Sequence, residues 1–297
     1  LAGHLTVSGG TNSTIEYFGP GARSISCTGK ATITNMGAEL GATTSIFPYD
    51  ERMARYLSAT DRGNLANLAN NNKDILTADK EVVDDPESYF DILVKIDLSE
   101  LEPHVVGPHS PDRARPLSQL AQEVKDESNA FVNDISATLI GSCTNSSYED
   151  MSRAADVAEQ AIERGVRAKT PLMVTPGSER VRATIERDGQ MASLRSIGAT
   201  VLANACGPCI GQWKRSQDVS TKPNSIVTSY NRNFPARNDG QQTTMNFIAS
   251  PEITTALALA GSLSFNPITD ELKGDDGVSF RLIPPAPAPE VPAKNFA

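Results

Sequence analysis

The second half of the chain repeats one pattern, in which a short apolar run and a turn precede a stretch with apolar residues at helical spacing. The apolar runs predict strands at 135–140, 171–175, 200–204 and 224–230. Helices are predicted from a capping box, Ser146-x-x-Glu149, to Gly165, and over 179–188 and 251–260. Strands that alternate with helices in this way indicate a parallel sheet covered by helices on both faces.

The first half shows the same alternation more weakly. A helix is predicted over 30–41, ending at Gly41, followed by a strand at 43–47, a helix through residue 57 and a strand at 89–98. Residues 102–116 hold four prolines and should be extended, so a domain boundary is placed near 104. We therefore expect two three-layer α/β domains with mainly parallel sheets flanked by helices, at 1–104 and 105–284. The proline-rich residues 285–297 should form a poorly packed linker.

The composition of the chain argues against a membrane protein and against a nucleic-acid-binding protein. Apolar residues make up 39% of the chain and charged residues 21%, and no apolar run approaches the roughly 18 residues that would span a bilayer, so no membrane segment is expected. The net charge of -9 argues against DNA or RNA as a partner, because a nucleic-acid surface would be basic. The chain opens at Leu1 without a recognisable leader, so we expect a piece of a longer protein.

Three of the four cysteines form a candidate metal site. Cys206 and Cys209 have C-x-x-C spacing, and Cys143 follows another predicted strand, so the three thiols could converge if those strands are neighbours. A closed zinc site or an electron-transfer cluster normally has four protein ligands, one more than these three thiolates. A metal centre with three thiolate ligands would have one coordination position open for substrate. A thioredoxin-like redox pair is the alternative, but it leaves Cys143 unexplained. Cys27 is expected to be a small buried apolar residue.

Several polar residues could act beside this site. Asn231, Arg232 and Arg237 follow the predicted strand at 224–230, and arginine forks at that edge suit carboxylates, although each arginine alone would be typical of a surface ion pair. Asn35 and Glu39 lie one helical turn apart. That pair could face a cleft, but from spacing alone a solvated helix face is favoured.

Longer motifs then point to one family. The sequences around the cysteines, at 141–151 and 203–213, and the stretch Ser229-Tyr-Asn-Arg-Asn-Phe234 closely resemble those of aconitases of the mitochondrial type. The resemblance extends to 19–29, 35–39 and 175–189, so it covers nearly the whole chain, and 66–88 look divergent.

That resemblance implies a function for each candidate residue. The three cysteines would hold a [4Fe-4S] cluster whose fourth iron has no protein ligand and acts as a Lewis acid on citrate, cis-aconitate and isocitrate. Asn231 would lie near a cluster sulfur, and Arg232 and Arg237 would bind substrate carboxylates. Asn35 and Glu39 would line the same site, with Glu39 paired to an active-site histidine, which replaces the solvated-face interpretation.

The resemblance also implies what is missing. The chain matches the second and third domains, so other domains of the same polypeptide would supply the aspartate–histidine pairs and the serine base, and these residues alone should be catalytically silent. A mitochondrial matrix location and a monomeric full-length enzyme are implied as well. The alternatives are a homoaconitate or isopropylmalate hydratase, which shares the cysteine motifs, and a non-catalytic RNA-binding relative, which the acidic charge opposes.

Overall fold

A computed structural model describes residues 1–126, 130–216, 218 and 221–297 of the chain. These residues form two compact units, a larger one of residues 1–7, 103–289 and 297, and a smaller one of residues 8–102 and 290–296. The described strands are β1 (Thr14–Glu16), β2 (Thr44–Ile46), β3 (His104–Val106), β4 (Ala114–Pro116), β5 (Ile135–Gly141), β6 (Leu172–Thr175), β7 (Thr200–Val201), β8 (Asn224–Thr228), β9 (Thr244–Ile248), β10 (Leu272–Lys273) and β11 (Ser279–Phe280). The described helices are α1 (Ala2–Leu5), α2 (Pro20–Ser24), α3 (Cys27–Gly37), α4 (Glu51–Ala59), α5 (Gly63–Asn71), α6 (Lys80–Asp84), α7 (Leu117–Lys125), α8 (Tyr148–Ile162), α9 (Glu179–Asp188), α10 (Gln190–Ser196) and α11 (Pro251–Ala260).

The larger unit is built on a seven-stranded sheet in the order β4-β3-β9-β8-β5-β6-β7. The run from β9 to β7 is parallel, whereas β3 is antiparallel to both β9 and β4. Every residue of β8 and β9 is buried, as expected for central strands of a sheet covered on both faces. The α/β architecture expected for this part of the chain is therefore confirmed.

Helices α8 and α11 pack against each other, and α11 also packs on β5. Helix α8 buries Met151, Ala154, Ala155 and Ala158, which lie at helical spacing, and α11 is buried over most of its length. The capping box of α8 is formed by Ser147 and Asp150, one residue later than expected. The longest described helix, α8, has 15 residues, and none of the helices in the described residues combines the length and apolar character needed to cross a bilayer.

The smaller unit contains a small parallel sheet. Its described strands, β1 and β2, form one parallel pair of three residues each. Helix α3 begins after Ser26, whose hydroxyl accepts the Gly29 N–H at 2.9 Å, and α4 begins after Asp50, whose carboxylate accepts the Met53 N–H at 3.0 Å. The strand predicted at 89–98 is wrong for this chain, because those residues are irregular and pair with none of the described strands.

The proline-rich end is better packed than expected. Residues 290–296 fold with the smaller unit, and the Glu290 side chain is only 1% exposed. Its carboxylate accepts the Cys27 N–H at 2.6 Å and an Arg55 N–H at 2.6 Å. The ring of Phe296 also meets Tyr56 edge to face at 5.9 Å. A buried carboxylate with two such hydrogen bonds, together with the ring contact of Phe296, fixes this segment despite its prolines.

Candidate functional site

The candidate site lies where β5 and β8 end. Gly141 closes β5 at φ 106°, and an added Cβ there would lie 1.8 Å from the Thr175 carbonyl oxygen, so only glycine fits. The Gly141 N–H donates to Ser229 Oγ at 3.0 Å, and Asn145 Nδ2 donates to the Ser229 carbonyl at 2.9 Å. These bonds fasten the turn that carries Cys143 to the residue that follows β8.

The second cysteine segment is a tight turn. Residues Gly207–Ile210 form a 3-10 helix that ends at Gly211 with φ 85°. The Cys209 N–H donates to the Cys206 carbonyl at 2.7 Å, which holds the two cysteines of the C-x-x-C motif in one turn. Cys206 and Cys143 are exposed, whereas Cys209 is buried against Leu139 and Tyr230. Two thiols therefore face outward and the third lies at the base of the site.

Burial and nearby charged or polar groups shift the pKa of the Cys209 thiol. Burial is the main cause that raises the pKa of the Cys209 thiol, and the Cys143 and Cys206 thiols raise this pKa further. The Ser142 hydroxyl and the Arg237 guanidinium lower it. Ser142 Oγ makes no regular hydrogen bond in the described residues, so its influence on Cys209 is that of a nearby dipole. The convergence of the three cysteines on one centre stays a prediction.

Asn231 and Arg237 lie beside the thiols. The Cys209 Sγ donates a long hydrogen bond to Asn231 Oδ1 at 3.9 Å, and Asn231 is itself buried. Arg237 is half-buried, and its Nε is enclosed without a hydrogen-bond partner in the described part of the chain. Arg232 is half-buried and has interactions within the chain. A buried guanidinium N–H without an acceptor is costly, so Arg237 suits an anionic ligand.

A network of buried asparagines supports this loop, and the sequence reasoning missed it. Asn238 Nδ2 donates to the Pro208 carbonyl at 3.0 Å, which joins the Arg237 loop to the cysteine turn. Asn246 on β9 donates to Asn238 Oδ1 at 2.8 Å, and Asn233 Nδ2 donates to the Asn246 carbonyl at 3.1 Å. The only signal in the sequence is the recurrence of asparagine in 231–238 and 246, which does not specify the partners.

The cysteine sulfurs are the candidate ligands of a metal centre. No three histidine, cysteine, aspartate or glutamate side chains in the described ranges, with 127–129, 217 and 219–220 left aside, could hold one metal ion together. Each thiolate of an iron–sulfur cluster binds a separate iron, so the thiols need not converge on one point. A set of three soft sulfur donors in a half-open site suits such a cluster.

Comparison with known proteins identifies the family. The profile of the aconitase family (aconitate hydratase) matches residues 1–261. The chain belongs to the aconitase family. It is 54% identical to a probable mitochondrial aconitate hydratase of Dictyostelium discoideum and 55% identical to the mitochondrial aconitate hydratase of Gracilaria gracilis, each over 296 residues. Both alignments cover 100% of this chain but 37% of the relative. This aconitase-family chain therefore spans little more than a third of the length of those relatives.

Asn35 and Glu39 of this aconitase-family chain lie in the smaller unit, whereas the cysteines lie in the larger one. Helix α3 ends at Gly37 and continues as a 3-10 helix, Ala38–Leu40, so the two side chains do not share a regular helical face. Asn35 is exposed, but Glu39 is only 5% exposed. The solvated-face interpretation therefore does not hold for Glu39.

A buried ion pair of this aconitase-family chain lies near the amino ends of β5 and β8. Arg215 Nη1 lies 3.2 Å from Asp239 Oδ2, next to Asn238 of the asparagine network, and their side chains are 6% and 1% exposed. The same guanidinium donates to Asn224 Oδ1 and to Ser136 Oγ, each at 2.7 Å. A carboxylate that is paired and hydrogen-bonded in this way anchors the loop that begins after β8.

Proposed function

We propose that residues 1–297 are the cluster-binding part of an aconitate hydratase, which interconverts citrate and isocitrate through cis-aconitate by dehydration and rehydration. The observation that carries the proposal is that Cys209 Sγ lies 3.9 Å from Asn231 Oδ1 at the carboxyl edge of the sheet, and that Cys143, Cys206 and Arg237 all influence the pKa of the Cys209 thiol. The carboxyl edge of a parallel sheet is where ligands of α/β proteins bind. The names of the relatives support the same reaction.

Cys143, Cys206 and Cys209 are the proposed ligands of a [4Fe-4S] cluster. Three ligands leave one iron open, and when bound the cluster would supply a Lewis acid for substrate hydroxyl and carboxylate oxygens. The exposure of Cys143 and Cys206 leaves the outward side of the site accessible to substrate, while the buried Cys209 fixes the inward side.

The remaining residues bind and orient the substrate. The buried Arg237 Nε would donate to a substrate carboxylate, which relieves an unpaired donor as the substrate enters. Arg232 is proposed to bind a second carboxylate. Asn231, within reach of the Cys209 sulfur, would hold that sulfur in place through its side-chain amide. Asn35 and Glu39 are proposed to line the same site, with Glu39 orienting a histidine from another part of the polypeptide.

The rest of the enzyme is proposed to supply the proton-transfer groups. The chain spans 37% of the Dictyostelium relative, so the missing domains of the same polypeptide are its first partners. Groups that act as a unit are not additive in catalysis, so residues 1–297 alone should be silent even with a cluster. The relatives are named mitochondrial, which supports a mitochondrial matrix location, and we propose that the full-length enzyme is monomeric.

Anaerobic reconstitution tests the cluster site. We expect about four irons and four inorganic sulfides per chain in the wild type, together with the EPR signal of a three-iron form after mild oxidation. Serine at any one of Cys143, Cys206 and Cys209 should abolish the cluster. The matched control is Cys27→Ser, which removes the fourth cysteine of the chain and should leave the cluster intact. Loss of the cluster in that control, or zinc without iron in the wild type, would contradict the ligand assignment.

Steady-state kinetics test the substrate. The full-length natural protein that contains residues 1–297 should act on citrate and isocitrate in preference to homocitrate and isopropylmalate. Arg237→Gln should lower kcat/KM by about tenfold to a hundredfold, because it removes a charge-assisted hydrogen bond. Arg167→Gln is the matched control, since Arg167 is exposed, and it should leave kcat/KM unchanged. An equal effect of both substitutions would refute the assignment of Arg237.

A further inference from the structure

Residues 90–98 alternate regularly between apolar and mainly polar positions. Such period-two alternation is typical of a strand with one buried face. The apolar face consists of Phe90, Ile92, Val94, Ile96 and Leu98, and the residues between them are Asp91, Leu93, Lys95 and Asp97.

The structure leaves Ile92, Ile96 and Leu98 of this face exposed, whereas Phe90 and Val94 are half-buried. Ile92 is 66% exposed and Ile96 is 48% exposed, which is unusual for isoleucine. Residues 91–98 make no backbone hydrogen bond to any other described residue. The segment therefore has the side-chain pattern of a strand without a strand's pairing or burial.

Both ends of the segment are nevertheless held in place. The Phe90 ring stacks on the Phe18 ring with centroids 5.7 Å apart. Leu98 packs against Gly21, where an added Cβ would lie 2.9 Å from Leu98 Cδ1. Between these anchors Ile92 and Ile96 are exposed, whereas Leu93 and Val94 are half-buried. An unpaired edge of this kind is a template for strand addition.

The sheet of the smaller unit is incomplete by the same criteria. β1 and β2 pair in parallel over three residues, and Ile46 on β2 is 51% exposed. Parallel sheets occur almost only where both faces are covered, and a pair of strands is marginal in water. The sheet of the smaller unit is therefore shorter than sheets that are stable on their own in water.

We propose that residues 90–98 form a strand that pairs with a β-strand from the part of the aconitase-family polypeptide outside residues 1–297. The chain covers 37% of its relatives, so well over half of each relative is available to supply that strand. A second copy of this chain is a poor occupant. Antiparallel pairing of two copies centred on Val94 would place Asp91 of one copy opposite Asp97 of the other. Parallel pairing in register would place each charged residue opposite the same residue of the other copy. Like charges at facing positions of a sheet are destabilising.

Hydrogen exchange followed by mass spectrometry tests the pairing. The amides of 90–98 should exchange at least about tenfold more slowly in the longest natural polypeptide containing this sequence than in residues 1–297 alone. Equal exchange in the two proteins would overturn the proposal. Slow exchange in residues 1–297 that increases with protein concentration would overturn it in favour of a second copy.

Substitutions test which face is covered. Ile92→Lys should remove the protection in the longer polypeptide and leave the melting temperature of residues 1–297 unchanged. Lys95→Gln, on the opposite face, is the control and should change neither quantity. If Ile92→Lys lowers the melting temperature of residues 1–297 as much as that of the longer polypeptide, the face is covered within this chain and the proposal is wrong. The exchange comparison of the unsubstituted proteins decides the question if the longer variant does not fold.

Discussion

Replacing Asp239 by alanine should lower the free energy of unfolding of the larger unit by about 3–5 kcal/mol, the range measured when one partner of a buried ion pair is removed. Arg215 and Asp239 are 3.2 Å apart and nearly inaccessible. At an effective dielectric constant near 20, their attraction is about 5 kcal/mol. Alanine removes that attraction and leaves the desolvation cost of the guanidinium uncompensated.

Arg215 cannot avoid this desolvation cost by losing its proton or by moving into solvent. Burial lowers the pKa of Arg215, and Asp239 opposes this change. An arginine does not lose its proton in proteins, so the charge stays in place in the variant. Its other two acceptors, Asn224 and Ser136, are neutral and hold the side chain inside the unit.

The single tryptophan of the chain makes the measurement specific to this unit. Trp213 lies under Arg215, with the guanidinium carbon 4.8 Å from the ring centroid. Urea unfolding followed by tryptophan fluorescence therefore reports the larger unit without interference from the smaller one. Glu271→Ala removes an exposed carboxylate of the same unit and is the control for net charge. A loss below about 1 kcal/mol for Asp239→Ala, or one equal to that of the control, would refute the reasoning.

Three further predictions concern other parts of the chain. Gly141→Ala should lower the stability of the larger unit by about 3 kcal/mol or more in urea unfolding, because φ is 106° and its Cβ would overlap the Thr175 carbonyl. Glu290→Ala should cost the smaller unit about 1.5–2 kcal/mol by circular dichroism, the low end for charge-assisted bonds, since Arg55 is largely exposed. Burial, aided by the Glu290 carboxylate, raises the pKa of Cys27 to about 11. The Cys27 thiol loses its proton at a lower pH in the unfolded chain than in the folded chain, so the free energy of unfolding should decrease as the pH rises from about 9 to 11. Cys27→Ala should make this decrease with pH smaller.

The central strands could be predicted because burial on both faces gives continuous apolar runs. Strands β5, β6 and β8 follow such runs closely. β9 was missed because Thr244 and Asn246 interrupt its apolar pattern. Both polar side chains are satisfied inside the unit, Thr244 by Asp239 at 2.7 Å and Asn246 by Asn238 at 2.8 Å. A buried polar residue with a distant partner looks like a loop residue until that partner is known.

In the candidate site, too, some features could be predicted from the sequence and others could not. The spacing of Cys206 and Cys209 places both in one turn by local geometry alone, so the sequence was sufficient there. The support that Asn238 gives to the Pro208 carbonyl joins residues 30 positions apart and has no local signature. Burial of Glu39 was equally hidden, because the change from α-helix to 3-10 helix after Gly37 alters which side chains face inward.

The alternation of apolar and polar residues in 90–98 carries structural information even though these residues do not form the strand that it predicts. Alternation reports the environment in which a sequence is stable, which for a strand includes a neighbour that supplies backbone partners and an apolar surface. The described residues of the smaller unit supply neither to Ile92 or Ile96. The conflict disappears if the neighbouring strand lies in another part of the polypeptide. Under this proposal, the exposed apolar residues of 90–98 mark a surface at which another part of the polypeptide packs.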